Sequence, residues 1–131
     1  MDTVDFEKLV DEGLEKIPLE FREKLDNVAI FVAWEPSYEQ RRKMALRDGM
    51  TLFGLYEGVP QPKRGSGYVM AVPDKITIFQ NPIQTYARGK IDIMREMVKN
   101  TVWHEIAHHF GMNEEEVRAA EERRRLLSHV E

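Results

Sequence analysis

The chain contains no cysteine. That absence excludes a disulfide framework, a thiolate metal site and a cysteine nucleophile, so any bound metal must be held by histidine and carboxylate. Long apolar runs are missing too, and no stretch approaches the roughly 18 residues that read as a membrane-spanning helix. The opening stretch Met1-Asp2-Thr3-Val4-Asp5 is acidic and lacks the apolar core of a secretory leader. The expected location is therefore the cytoplasm, with no membrane partner. Basic charge is also scarce. With 19 Lys and Arg against 23 Asp and Glu the net charge is -4, and the basic runs are short and mixed with acids, which argues against a nucleic-acid partner. Repeats and low-complexity segments are absent.

What is present suffices for one core. At 131 residues, 42% of them hydrophobic, residues 1–131 are expected to form a single domain, with a monomer favoured. Phe6, Leu9, Val10, Leu14 and Ile17 recur at helical spacing and predict an amphipathic helix ending before Pro18. Pro18 suits the first turn of a second, short helix carrying Leu19, Phe21 and Leu25. Val28 to Trp34 is almost wholly apolar and reads as a central strand covered on both faces. The charged stretch from Ser37 to Gly49 reads as a solvated linker with room for one helical turn, Thr51 to Glu57 as a second strand and Gly58 to Gly67 as an exposed loop. Ile76 to Phe79, after a turn at Pro73-Asp74, reads as a partly exposed strand ended by Asn81-Pro82. A long helix and a short one complete an α+β fold with a small sheet.

The long helix, Ile91 to Phe110, carries the sharpest feature: His104-Glu105-Ile106-Ala107-His108, an HExxH pattern. Histidines four residues apart project from one helix face, where both imidazoles reach a single metal, and the intervening glutamate can take a proton from a water. Ile93, Met97, Thr101, His104 and His108 share one sector. Met94, Val98 and Val102 adjoin it, and Asp92, Arg95, Glu96 and Lys99 lie opposite, so the histidines are expected on the buried side. Glu105 in that setting needs a cation or a water to offset its burial. One zinc ion fits nitrogen and oxygen ligands without cysteine, and nickel or cobalt fit the same donors in vitro.

A catalytic zinc needs a third protein ligand. Gly111 stands where the helix would end and accepts the left-handed conformation that reverses the chain. Glu114, ten residues after His104, then completes HExxHxxGxxE and is the expected third ligand. Glu115, Glu121 and Glu122 are the alternatives. Independently, Asn113 and Glu116 have the spacing of a capping box for the last helix.

The stretches Leu52 to Pro60, Pro73 to Phe79 and Thr101 to Gly111 make the chain resemble the small bacterial zincin-like proteins sometimes called minimal zincins, and the likeness spans most of the sequence. The resemblance implies a mixed sheet packed on an active-site helix, an edge strand bordering the cleft, zinc, and a peptidase-like site. That family usually has an acid, often aspartate, at the position of Glu114. The expected function is zinc-dependent hydrolysis of peptide or protein substrates, with His104, His108 and Glu114 on the metal and Glu105 as general base. Ile76 to Phe79 is expected to pair with the substrate by strand addition, with Tyr68, Tyr86 and His109 as candidate oxyanion donors. The alternatives are a zinc-bound regulatory or interaction module, or a latent peptidase with little activity of its own.

Overall fold

The computed structural model describes residues 1–47, 49–65 and 73–129, without the side chains of residues 114, 121 and 124–129. Helix α1 (Thr3–Glu15) opens on Asp2, whose carboxylate accepts the Asp5 N–H at 2.8 Å. That is an ordinary N-cap. Its apolar stripe of Phe6, Leu9 and Val10 is buried. Pro18 stands one place earlier than expected, as the N-cap of the short helix α2 (Leu19–Arg22). Strand β1 (Val28–Ala33) follows, then α3 (Tyr38–Lys43), β2 (Gly54–Glu57), a 3-10 turn at Gln61–Lys63, β3 (Asp74–Phe79), α4 (Gln80–Tyr86), α5 (Ile91–His109) and α6 (Glu114–His129). The fold class is α+β, as expected.

The sheet order is β1-β3-β2, with β3 parallel to β1 and antiparallel to β2. Two expectations are thereby exchanged. The apolar β1 is an edge strand, and Phe31 within it is 49% exposed. The mixed β3, expected to be partly exposed, is the central strand, with Ile76, Thr77, Ile78 and Phe79 all buried. The cause is pairing: β3 has a neighbour on each side, while Lys75 escapes burial by laying its ammonium 5.6 Å from the Phe31 ring centroid. Both edges of Ile76 to Phe79 are occupied, so that segment has no free edge for strand addition.

One helix, α4, lies where none was expected, and α3 extends beyond the single helical turn allowed for its stretch. Ser37 and Gln40 form a full capping box that starts α3 in the charged stretch read as linker. The chain continues directly from β3 into α4 through Asn81-Pro82, because proline is tolerated in a first helical turn, where its missing N–H is not needed. The last helix, expected to be short, runs for 16 residues.

The core lies between the sheet and the helices α1 and α5. Ile76 and Ile78 meet Phe6, Val98, Val102, Trp103 and Ile106 in one cluster. Gly13 permits the close approach of α1 to α5, since a Cβ there would stand 3.3 Å from the Lys99 Cα. Trp103 is buried in this core, its ring 5.4 Å from Phe21 in an edge contact.

Helix α5 ends as its sequence predicts. The Gly111 N–H bonds to the His108 carbonyl at 2.9 Å and the Met112 N–H to the Ala107 carbonyl at 3.0 Å, with Gly111 at φ +82°. This is a Schellman motif. The turn is pinned from outside by Pro62, whose Cγ would lie 2.8 Å from a Cβ at position 111. Gly111→Ala should therefore lower stability by about 1–3 kcal/mol through the left-handed backbone and the Pro62 contact. A urea melt with an unchanged midpoint would show that the turn relaxes freely.

Candidate metal centre and cleft

His104 and His108 occupy successive turns of α5, their ring centroids 4.9 Å apart and their planes 79° apart. Neither is in the core. Both are half-buried, and the fully buried arc of the helix is instead Met94, Val98, Val102, Ile106 and His109. Ile93, predicted to share their buried sector, is 42% exposed. The ligand sector thus runs along the margin between core and solvent. That correction suits the chemistry, because a metal in the core would be out of reach of a substrate.

The margin opens into a cleft of about 390 Å³ lined by Leu52, Phe53, Gly54, Asn100, His104 and Glu105, among others. Glu105 is only 7% exposed, yet it lines this cleft. Gly54, the first residue of β2, makes the approach possible: a Cβ there would lie 2.6 Å from the Thr101 Cγ2 and 3.2 Å from the Glu105 Cγ. The start of β2 therefore passes directly against the glutamate. The Thr101 hydroxyl is tied back to the Met97 carbonyl at 2.7 Å.

The Schellman turn also serves His108. It carries the Met112 carbonyl to 3.3 Å from His108 Nδ1. A proton on Nδ1 donated to that carbonyl leaves the Nε2 lone pair for a metal and fixes the ring's orientation. Two imidazoles on one face, one of them supported in this way, beside a nearly buried carboxylate and with no sulfur donor, fit zinc. Among the described residues no third acid or histidine joins them as a metal-holding group. The backbone places Glu114 at the start of α6, after the N-cap Asn113, whose side chain accepts the Glu116 N–H at 2.8 Å. The side chain of Glu114, the expected third ligand, lies outside the described residues, as does that of Glu121. Glu115 and Glu122 are both exposed.

His109, a candidate oxyanion donor, points elsewhere. It is fully buried, and its Nε2 accepts from the Asp26 N–H at 3.3 Å and the Gln61 side-chain amide at 2.9 Å. Nδ1 therefore carries the proton and donates to Asp74 Oδ2 at 3.2 Å. Asp74 also accepts from the Tyr56 hydroxyl, from Arg64 Nη2 at 2.7 Å and from the Val59 N–H at 3.2 Å. Arg64 bonds on to Asp26 at 3.0 Å. This cluster at the buried side of the end of α5 was not anticipated. Asp74, Tyr56 and Arg64 were read as parts of a turn, a strand and an exposed loop and His109 as an oxyanion donor on the long helix, and nothing local in the sequence joins residues so far apart. Of the other expected donors, Tyr86 is largely exposed and packs on Phe53, and Tyr68 lies outside the described residues.

Burial by itself would raise the Asp74 carboxyl, but the hydrogen bonds from Tyr56, Arg64 and the Val59 N–H, with the Arg64 charge, outweigh it and hold the group below its usual range. Burial also lowers the His109 imidazole, aided by Arg64 and opposed by Asp74. Burial and the Asp74 hydrogen bond together push the Tyr56 hydroxyl upward.

Fold and site together describe a small mixed sheet on a helix that presents His104 and Glu105 to a cleft, with His108 one turn further along. The chain belongs to the zincin-like metallopeptidase family, whose model matches residues 25–124. It is also similar in fold to the solved structure of a conserved hypothetical protein from Thermo thermophilus, at 21% identity and a TM-score of 0.55, over 84% of this chain and 94% of that one. No curated protein matches the chain.

Asp74 and His109 bind fewer protons folded than unfolded, so acidification should destabilise the protein in two windows. The first opens below about 6.5, where an unfolded histidine takes up its proton, and the second below about 3.9, as pH falls toward the lowered value of Asp74. Asp74→Asn should flatten the second limb of a stability-versus-pH curve from urea melts. At neutral pH, Asp74→Ala should cost about 3–5 kcal/mol, because it removes the one acceptor shared by the Tyr56 hydroxyl, the nearly buried Arg64 guanidinium and the buried His109 imidazole. A loss below about 1 kcal/mol, the level of an exposed ion pair, would show that the cluster is not a structural tie.

Proposed function

We propose that the protein is a zinc-dependent peptidase in which His104, His108 and Glu114 hold one zinc ion and Glu105 is the general base. The reading is supported above all by the convergence of His104 and Glu105 on one cleft, with His108 a turn away and oriented by the Met112 carbonyl. Family membership adds the chemical class. Zinc, when bound, supplies a Lewis acid for the scissile carbonyl and lowers the pKa of a water.

The chain's own residues carry the remaining steps. Glu105 accepts a proton from the attacking water and returns it to the departing amine, so the carboxylate ends each cycle as it began. Its position against Gly54 holds it at the cleft wall, and its near burial limits exchange of that proton with bulk solvent. The substrate strand pairs with the outer edge of β2, since no strand among the described residues pairs there and Gly54 brings that edge to the glutamate. This replaces Ile76 to Phe79, whose edges are both taken. No helix among the described residues is long and apolar enough to cross a membrane, and a cytoplasmic peptide or protein is the proposed substrate.

Glu105→Gln should retain one equivalent of zinc by elemental analysis while hydrolysis of a mixed peptide pool falls by about 10²–10⁴-fold. His108→Ala should lose the metal as well as the activity. Undiminished cleavage by Glu105→Gln would sink the mechanism, and full zinc retention by His108→Ala would sink the ligand assignment.

A further inference from the structure

A second recess, of about 300 Å³, lies beside the cleft and is lined by Glu35, Phe53, Asn81, Pro82, Thr85 and Tyr86, with Thr51 and Phe53 shared between the two. Its polar groups satisfy one another. The Asn81 amide donates to Glu35 Oε1 at 2.6 Å and accepts from the Thr85 hydroxyl at 3.2 Å, so the remaining lining, Thr51 apart, is made of Phe53, Pro82 and Tyr86. Phe53 and Tyr86 meet edge to face, their centroids 5.5 Å apart, and form an aromatic wall, while Pro82 is buried. Only the carboxylate of Glu35 brings formal charge to this lining.

We propose that this recess is a specificity subsite for a large apolar, preferably aromatic, side chain of the peptide substrate, and that Glu35 selects a lysine or arginine beside it. The inference rests on the peptidase reading for its ligand class. Shape and chemistry agree with it. A peptide lying in the cleft along β2 passes Thr51 and Phe53, and the residue reaching past Phe53 meets a recess with aromatic walls and no unsatisfied amide. The Glu35 carboxylate keeps one oxygen toward Asn81, and its exposed remainder attracts a cation.

The test uses binding, so that it stands apart from catalysis. Capped hexapeptides carrying Phe and Lys at their central positions, in either order, are titrated calorimetrically into the zinc-loaded, full-length Glu105→Gln protein, alongside Ala-for-Phe and Glu-for-Lys versions. The Phe peptides should bind at least about tenfold more tightly than the Ala peptides. The Lys preference over Glu should shrink with added salt. Thr85→Phe, which fills the recess from an exposed helix position, should abolish the Phe preference, and Glu35→Gln, at another exposed position, should abolish the Lys preference. Equal binding of Phe and Ala peptides, or a Phe preference that survives Thr85→Phe, overturns the subsite. Incubating the same peptides with the unaltered zinc-loaded protein reads the two ideas separately. Selective binding without cleavage rejects hydrolysis and keeps the recess, whereas cleavage indifferent to Phe rejects the recess and keeps hydrolysis.

Discussion

A carboxylate taken out of water must find donors for its oxygens or give up its charge. Asp74 finds four: the Tyr56 hydroxyl, the Arg64 guanidinium, the Val59 N–H and the His109 imidazole. These belong to β2, to the loop after it and to the last turn of α5, while Asp74 itself opens the central strand. One side chain thus ties together the elements that border the cleft. Even the backbone yields to it. A Cβ at Gly58 would stand 2.3 Å from the Asp74 carboxyl carbon, so only glycine lets the loop close over it.

The arrangement separates a structural histidine from the two proposed metal ligands along a single helix. His109 faces inward, is neutral and has both ring nitrogens engaged by the cluster. His108, its neighbour in sequence, is rotated by about 100° toward the margin, where its ring meets that of His104. The inward histidine fixes the roll and axial position of the helix end, and the outward pair inherits that precision. The Schellman turn contributes in the same way, since the reversal that ends the helix also delivers the Met112 carbonyl to His108. Rigid support of this kind is what a metal site needs from its surroundings.

Local signals in the chain were strong enough to place α5 to within a residue, its glycine stop, the Asn113 cap and the histidine pair, because each depends on residues within one or two helical turns. The order of the strands was not legible. Val28 pairs with Asp74, far along the chain, and nothing in the composition of β1 announces that it lies at an edge. Thr77 gave Ile76 to Phe79 the alternation of a half-exposed strand, yet Thr77 is buried and it is Lys75, just before that stretch, that reaches out over Phe31. The Asp74 cluster was hidden for the same reason. Its partners lie 10, 15, 18 and 35 residues away, and each looks ordinary in its own neighbourhood. The burial of the site histidines was misjudged because helical periodicity gives a direction but not how far the neighbouring elements extend over it.

The sheet order has a consequence for how the molecule comes together. Its middle strand is the last of the three in sequence, so β1 and β2 have nothing to pair with until residues 74–79 arrive between them. The closure joining β1 to β3 spans tens of residues, and its entropy must be met before any parallel ladder forms. Neither outer strand can pair before the middle one is in place, and the strand that completes the sheet also carries Asp74, the acceptor for Tyr56, Arg64 and His109. The support of the end of α5 therefore depends on the same strand that completes the sheet.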